Sequence, residues 1–172
     1  SGSSKIKNDG IYVFDLTNAR DVDIVESFNE GKELLKDFYK NSDISKYWCS
    51  LNATKKLLYY PDALEEKKYP DVLIHLSEFR RLLEHRLEAY NEHYHWTALH
   101  RARKESIFIG KKIVVPYRTR TNAFAYNDVE WFCRSDVYVI TPKAKEVDLF
   151  YLLGLLNSKL NYVWLYNRGK RK

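Results

Sequence analysis

The stretch DVLIHLSEFRRLLEHRLEAY, residues 71–90, constrains the fold more than any other part of the chain. It places Val72, Leu76, Phe79, Leu83, Leu87 and Tyr90 at three- and four-residue spacing, which is the period of one long amphipathic helix with its charges turned outward. A second such stretch, LFYLLGLLNSKLNYVWLY, follows Asp148 as a candidate cap. It carries Leu149, Leu152, Leu153, Leu156, Leu160 and Val163 along one face, with Gly154 a local weak point. Between the two the period changes. KIVVPYRT, NAFAYN, EWFCR and DVYVIT are short aromatic and β-branched runs, and NDVE supplies a tight connection, so residues 112–141 predict three or four strands, chiefly antiparallel. Upstream, Leu34, Leu35 and Phe38 suggest a short helix over Glu33–Lys40 ending near Asn41, and KYWCSLNATKKLLYY reads as a hairpin about an Asn-containing bend. Together these features predict an α+β fold: a small antiparallel or mixed sheet flanked by two long amphipathic helices.

The chain has 172 residues, enough for one ordinary domain, expected over residues 5–172. Ser1–Ser4 reads as a small polar cloning remnant and is left out of the fold. Hydrophobic residues at 45% and charged residues at 30% describe a globular chain with a substantial core, and no apolar run approaches the length of a membrane span. Cys49 and Cys133 lie far apart without CxxC spacing, which suits buried free thiols in a reducing compartment, with the cytoplasm as the expected location. Ending on RGKRK with nothing to close the structure, the sequence reads as an excerpt from a longer polypeptide.

Charge is unevenly spread. The formal net charge is +6, yet residues 101–120 alone hold Arg101, Arg103, Lys104, Lys111, Lys112, Arg118 and Arg120 against Glu105. Arg168, Lys170, Arg171 and Lys172 form a second basic cluster, which leaves the body of the chain mildly acidic. Basic patches that are rich in arginine and interleaved with aromatics favour a polyanionic partner, because the guanidinium offers both a forked donor and a stacking face.

Catalytic signatures are missing. No glycine-rich cofactor loop, Asn/Asp-Pro-Pro-aromatic motif or GxxxxGK[ST] phosphate loop is present. Pro61, Asp62, Glu66 and Lys68 superficially spell PD…ExK, but three residues between the acids cannot bridge the two neighbouring strands that such a metal site needs, so a turn into a helix is expected there. His93, His95 and His100 lack suitably spaced carboxylate or cysteine partners for a metal. Trp96 and Leu99 are expected as core anchors. Arg101 and Arg103 are placed to project together toward phosphate or guanine, and Arg118 and Arg120 would share a strand face if that segment stays extended.

The order WTALHRAR, KKIVVPYRTRTNAFAYN, SDVYVITPK, YLLGLLNSKLNYVWL and RGKRK resembles the TaqI-like C-terminal specificity domain. That domain is the target recognition domain of type IIG restriction-modification enzymes and of their adenine-N6 DNA methyltransferase relatives. FYKNSDISKYW resembles the family's opening motif, with Asn41 and Ser42 where a glycine and a basic residue are usual. The likeness runs from Leu34 to Lys172, and its weight lies in the ordered combination, since each piece alone is weak.

The resemblance implies that this portion is non-catalytic and reads double-stranded DNA for a parent that methylates adenine at N6, with or without endonuclease activity. The expected DNA-contacting set is Lys46, Arg101, Arg103, Lys104, Lys111, Lys112, Tyr117, Arg118, Arg120, Arg168, Lys170 and Arg171. No cofactor or metal is expected in this portion. S-adenosylmethionine, and Mg²⁺ where the parent also cleaves, would belong to methyltransferase and nuclease domains upstream in the same chain, and no membrane is involved. Two other classes stand beside this reading. A nuclease fragment would need an acid cluster in a pocket, and a protein-interaction or spacer module would show an exposed apolar face on Leu152, Leu156, Leu160 and Val163.

Overall fold

The computed structural model describes residues 10–90, 93–143 and 147–168; Ser1–Ser4, Lys170 and Arg171 lie outside these. The chain forms two compact units, residues 1–37 with 54–103 and residues 38–53 with 104–172. It passes from the first to the second within strand β2, Leu35–Tyr39. The α+β class predicted from the sequence holds, built from several short elements.

In the first unit, β1 (Val13–Asp15) pairs antiparallel with β3 (Lys55–Leu58). Lys55 reaches Asp15 at 2.7 Å. Its hydrogen bond, followed by those from Thr17, holds the Asp15 carboxyl well below the usual carboxylate range. Helix α1 (Ala19–Ser27) is capped by Asn18, whose side chain accepts from the Arg20 amide at 3.0 Å. The helix expected over Glu33–Lys40 is instead a 3₁₀ turn, Glu30–Leu34, running into β2. Tertiary contacts override the weak local stripe here: Tyr59 N donates to the Leu34 carbonyl at 2.9 Å and Lys56 pairs with Asp37 at 2.7 Å. Asp71 holds the 3₁₀ turn by accepting from Asn29 N at 2.7 Å and Gly31 N at 3.0 Å. Gly31 is required there, since a Cβ would come within 2.1 Å of the Val72 side chain.

The long helix predicted over residues 71–90 is two helices, α2 (Pro70–Ser77) and α3 (Arg80–Tyr90). The break falls at Glu78 and Phe79, directly after Ser77, whose hydroxyl donates to the Leu73 carbonyl at 2.6 Å, a bond of the kind that bends helices. Val72, Leu76 and Leu83 are fully buried, as the apolar period predicts.

In the second unit, β4 (Lys112–Pro116) is the centre of a three-stranded antiparallel sheet, flanked by β5 (Ala125–Asn127) and β7 (Val137–Ile140). Strand β6 (Phe132–Cys133) leaves this sheet and pairs in parallel with the end of β2, Phe38 opposite Phe132. The expected hairpin over residues 46–60 does not form. Its second arm is β3, committed to β1, and its first half is closed by a bridge from Ile44 to Cys49.

Asp148 caps α4 (Leu149–Leu156), accepting from Phe150 N at 2.9 Å and Tyr151 N at 3.1 Å. Leu149 and Leu153 pack on Ile113, with Phe124, Tyr126, Ile140, Leu152 and Leu156 around them. The second predicted long helix also divides, giving α5 (Lys159–Arg168), but it breaks at Asn157 rather than at Gly154. The break resets the helical phase, so the apolar stripe does not continue: Leu160 and Val163 are 78% and 54% exposed.

Buried His75 gives the first unit a pH response. Its Nε2 lies 3.0 Å from the Ile11 carbonyl, and its ring centroid is within 5.6 Å of those of Phe14, Phe28 and Phe79. Burial holds its pKa below the ordinary value, with Arg20 acting in the same direction and the Ile11 hydrogen bond, Glu78 and Asp21 opposing. The unfolded state therefore binds more protons than the folded state, and stability falls as pH drops through the ordinary histidine range near ~6.5, by at most about 1.4 kcal/mol per pH unit from this group. Urea midpoints taken at pH 7.5 and 5.5 should differ more for the natural chain than for His75→Gln, which keeps a donor for Ile11 but cannot titrate. Equal pH sensitivity in the two proteins would contradict this assignment.

Candidate nucleic-acid interface

Strand β4 ends at Pro116. Arg118 and Arg120 therefore lie on a loop and not on a shared strand face, which corrects the extended reading of that segment. The loop is held by its own polar residues and by the start of β7. Tyr117 N donates to the Asp136 carbonyl at 2.7 Å, the Tyr117 ring meets Tyr138 edge-on at 5.3 Å, and the Arg118 guanidinium lies 5.7 Å from the Tyr117 ring centre. Thr119 Oγ1 donates to the Thr121 carbonyl at 2.7 Å, a side-chain bond that competes with strand pairing. Residues 117–121 are all exposed, and Asn122 then turns inward.

The far end of the loop is rooted in buried amides. Asn122 Nδ2 donates to the Leu156 carbonyl at 2.7 Å, capping the end of α4. Asn157, only 3% exposed, makes a paired contact with the backbone of one residue: Phe124 N donates to Asn157 Oδ1 at 3.1 Å, and Asn157 Nδ2 donates to the Phe124 carbonyl at 2.8 Å. The same carbonyl accepts from Tyr47 N at 2.9 Å, and Tyr126 N donates to the Tyr47 carbonyl at 3.2 Å. The backbone of Phe124 thus joins three segments that are distant in sequence.

The turn Ser45–Trp48 completes this cluster. Ser45 N donates to the Trp48 carbonyl at 2.9 Å and Trp48 N to the Ser45 carbonyl at 3.2 Å, between buried Ile44 and Cys49. Tyr47 has φ +80°, a left-handed conformation that is strained for a residue with a Cβ. Exposed Lys46 places Nζ 5.3 Å from the Tyr47 ring centre.

The expected contact residues divide as follows. Lys46, Tyr117, Arg118 and Arg120 are exposed at the two loops that meet at Phe124. Lys104, at the start of a 3₁₀ turn, Lys111, and Arg168, at the end of α5, are also exposed in the second unit. Arg101 and Arg103 belong to the first unit. Arg101 is exposed with φ +50°, while Arg103 is half-buried and its carbonyl accepts from Tyr59 OH at 2.9 Å. Lys170 and Arg171 fall outside the described residues.

Lys112 requires correction. It is 0% exposed, and its Nζ donates to the carbonyls of Gly110 and Val129. Burial also pushes its pKa below the ordinary lysine value. Lys112 stabilises the start of β4 and cannot meet an exposed phosphate.

The core anchor near residue 97 is likewise shifted from the expected pair. Trp96 and Leu99 are half-buried, whereas Thr97 and Ala98 are 0% and 1% exposed. Thr97 Oγ1 accepts from Leu64 N at 3.0 Å, and its carbonyl accepts from Tyr12 OH at 2.9 Å. His95 bonds Thr97 and His100 bonds Tyr94. Asp62 and Glu66 are both exposed, and Lys68 pairs with Glu33 at 2.9 Å. Among the described residues no group of three His, Cys, Asp or Glu side chains is arranged to hold a metal.

A profile of the TaqI-like C-terminal specificity domain matches residues 36–171. The chain belongs to that family. Comparison with curated proteins finds no match. In fold, the specificity domain is similar to part of the type IIL restriction-modification enzyme MmeI, whose structure was determined in complex with DNA. The TM-score is 0.58 at 16% identity, covering 95% of this chain and 21% of that one, so the specificity domain spans about a fifth of that enzyme's length.

The positioning residues Asn122, Phe124 and Asn157 were not singled out from the sequence. The available signal was polar residues inside otherwise apolar or strand-like runs, LLNSKLN and TNAFAYN. Replacing Asn157 by Ala leaves Phe124 N without its partner, and should cost about 1–3 kcal/mol of stability. It should also lower hydrogen-exchange protection of the Phe124 amide more than that of Val114 in β4. Unchanged urea midpoint and exchange at Phe124 would contradict the role given to this pair.

Proposed function

We propose that this specificity domain reads the sequence of double-stranded DNA for a restriction-modification enzyme. The observation that carries the reading is the exposed loop 117–121, bearing Arg118, Arg120 and Tyr117 on a root held by the buried side chains of Asn122 and Asn157. A reader of base edges needs this combination. The guanidinium must be free to fork onto guanine, while its attachment must be stiff enough to favour one register. Lys46, Lys104, Lys111 and Arg168 supply exposed positive charge for the phosphate backbone, with Arg101 and Arg103 as further basic side chains in the first unit. The restriction-modification setting is supported by family membership and by the likeness to an enzyme solved with DNA.

The parent is proposed to methylate adenine at N6, with or without cleavage, in the cytoplasm. S-adenosylmethionine, and Mg²⁺ for cleavage, would bind methyltransferase and nuclease domains upstream in the same chain. The donor set here suits neither group: the sequence has no glycine-rich cofactor loop, and the described residues have no triad of metal-capable side chains. No helix of the described residues is long and apolar enough to cross a membrane.

A protein-facing role for α5 is favoured by one observation: Leu160, Val163, Trp164 and Tyr166 are all more than half exposed on that short helix. This is compatible with DNA reading by the loops.

Binding to duplex DNA should weaken steeply with salt, each phosphate contact contributing roughly 0.9 to the slope of log affinity against log salt. Lys111→Ala should weaken all duplexes about equally and flatten that slope by about one unit if the lysine meets a phosphate. Lys112→Met, by contrast, should lower stability and leave the slope unchanged. Of Arg118→Ala and Arg120→Ala, at least one should lose about 1–3 kcal/mol on the preferred site and less on unrelated DNA. If both arginines can be removed from the folded protein with no change in preferred sequence or affinity, the loop is not the reader.

A further inference from the structure

The turn Ser45–Trp48 displays a side chain that the basic contact set leaves out. The indole of Trp48 is 60% exposed, and it meets no other aromatic ring among the described residues. It is nevertheless not on a loose tether. Both backbone ends of the turn are bonded to each other, Ile44 and Cys49 bracket it in the core, and Tyr47 is held at φ +80° by hydrogen bonds through its amide and its carbonyl. A large apolar plane left mostly in water on a strained turn whose ends are hydrogen-bonded adds little to the unit's own packing, and strain retained in this way is found where a side chain must be presented. The root of this turn is the Phe124 backbone, which is also the root of the basic loop, and exposed Lys46 precedes Trp48 by two residues.

We infer that Trp48 is a stacking residue: its indole lies against the face of a base that has lost a stacking neighbour in the bound duplex, while Lys46 meets the phosphate beside it. This rests on the DNA-reading function proposed above and names the contact that charge and guanidinium forks do not provide. Stacking on a base face tolerates any sequence, so Trp48 contributes to affinity and to distortion of the site, leaving choice of bases to the loop. Such a contact also suits chemistry on a base, which requires that base to leave the helix and exposes the faces of those that remain. With two rotatable side-chain bonds and a fixed backbone, the indole has little freedom to lose on binding.

The test uses the 172-residue chain with a pool of duplexes randomised over their central positions, from which bound sequences are selected, and the same duplexes carrying 5-bromouracil in place of thymine. Trp48→Ala should weaken binding to a selected duplex at least tenfold without altering the salt slope, and Trp48→Phe should retain most of the affinity. Thermal stability should change little in both, because most of the indole stands in water. Irradiation of the bromouracil duplex should cross-link the tryptic peptide of residues 47–55. The assignment is overturned if Trp48→Ala binds within twofold of the natural chain, or if cross-links form only in other peptides. If the natural chain binds no duplex even at low salt, the DNA reading itself fails, and this inference with it.

Discussion

The second unit depends on the backbone of Phe124. Its amide donates to Asn157, and its carbonyl accepts from both Asn157 and Tyr47, so both oxygen lone pairs are in use. The contact joins three parts of the chain: the turn within the opening motif, the loop that follows β4, and the joint between α4 and α5. Because Asn157 is buried, losing either half of this exchange would leave a desolvated polar group without a partner, which is costlier than losing the same bond at the surface. The two helices break where they do for the same reason. Asn157 ends α4, its amide still donating to the Leu153 carbonyl while its side chain serves the loop, and Ser158 begins α5 by accepting from Asn161 N at 3.1 Å.

On this root the unit separates stiffness from variability. The residues that hold the loop, Asn122, Phe124 and Asn157, bond to backbone and impose no requirement on what is displayed between Tyr117 and Asn122. The displayed residues, Arg118, Thr119, Arg120 and Thr121, are exposed and support one another only through local bonds. A specificity domain benefits from this arrangement, since the side chains that read bases can change without disturbing the core that carries them. Charge follows the same division. Lys112 is spent inside on two carbonyls, whereas Lys111, its neighbour in sequence, faces water.

Apolar period and residue class carried much of this into the sequence. The stripe Val72, Leu76 and Leu83 becomes core, the runs between residues 112 and 141 become strands, and Asp148 caps its helix. The features that were not legible depend on partners remote in sequence. Nothing local to Glu33–Lys40 announces that Asp71 and Tyr59 will draw it into a turn and a strand, and nothing in KKIVV distinguishes the lysine that faces out from the one that faces in. Alternation places adjacent residues on opposite sides of a strand, but which side is the interior is decided by tertiary packing. The same holds for Asn157: a polar residue inside an apolar helix signals a buried hydrogen bond, but its partner is identified only by the fold.

The central claim is that a fixed root carries an interchangeable reading loop. Randomising residues 118–121 while keeping Tyr117 and Asn122, and then finding the duplex that each folded variant prefers from a randomised pool, tests it directly. The account predicts that many variants keep the exchange protection of Phe124 and the thermal stability of the natural chain while preferring different DNA sequences. Variants altered at all four positions that still select the natural chain's sequence with undiminished affinity would contradict it.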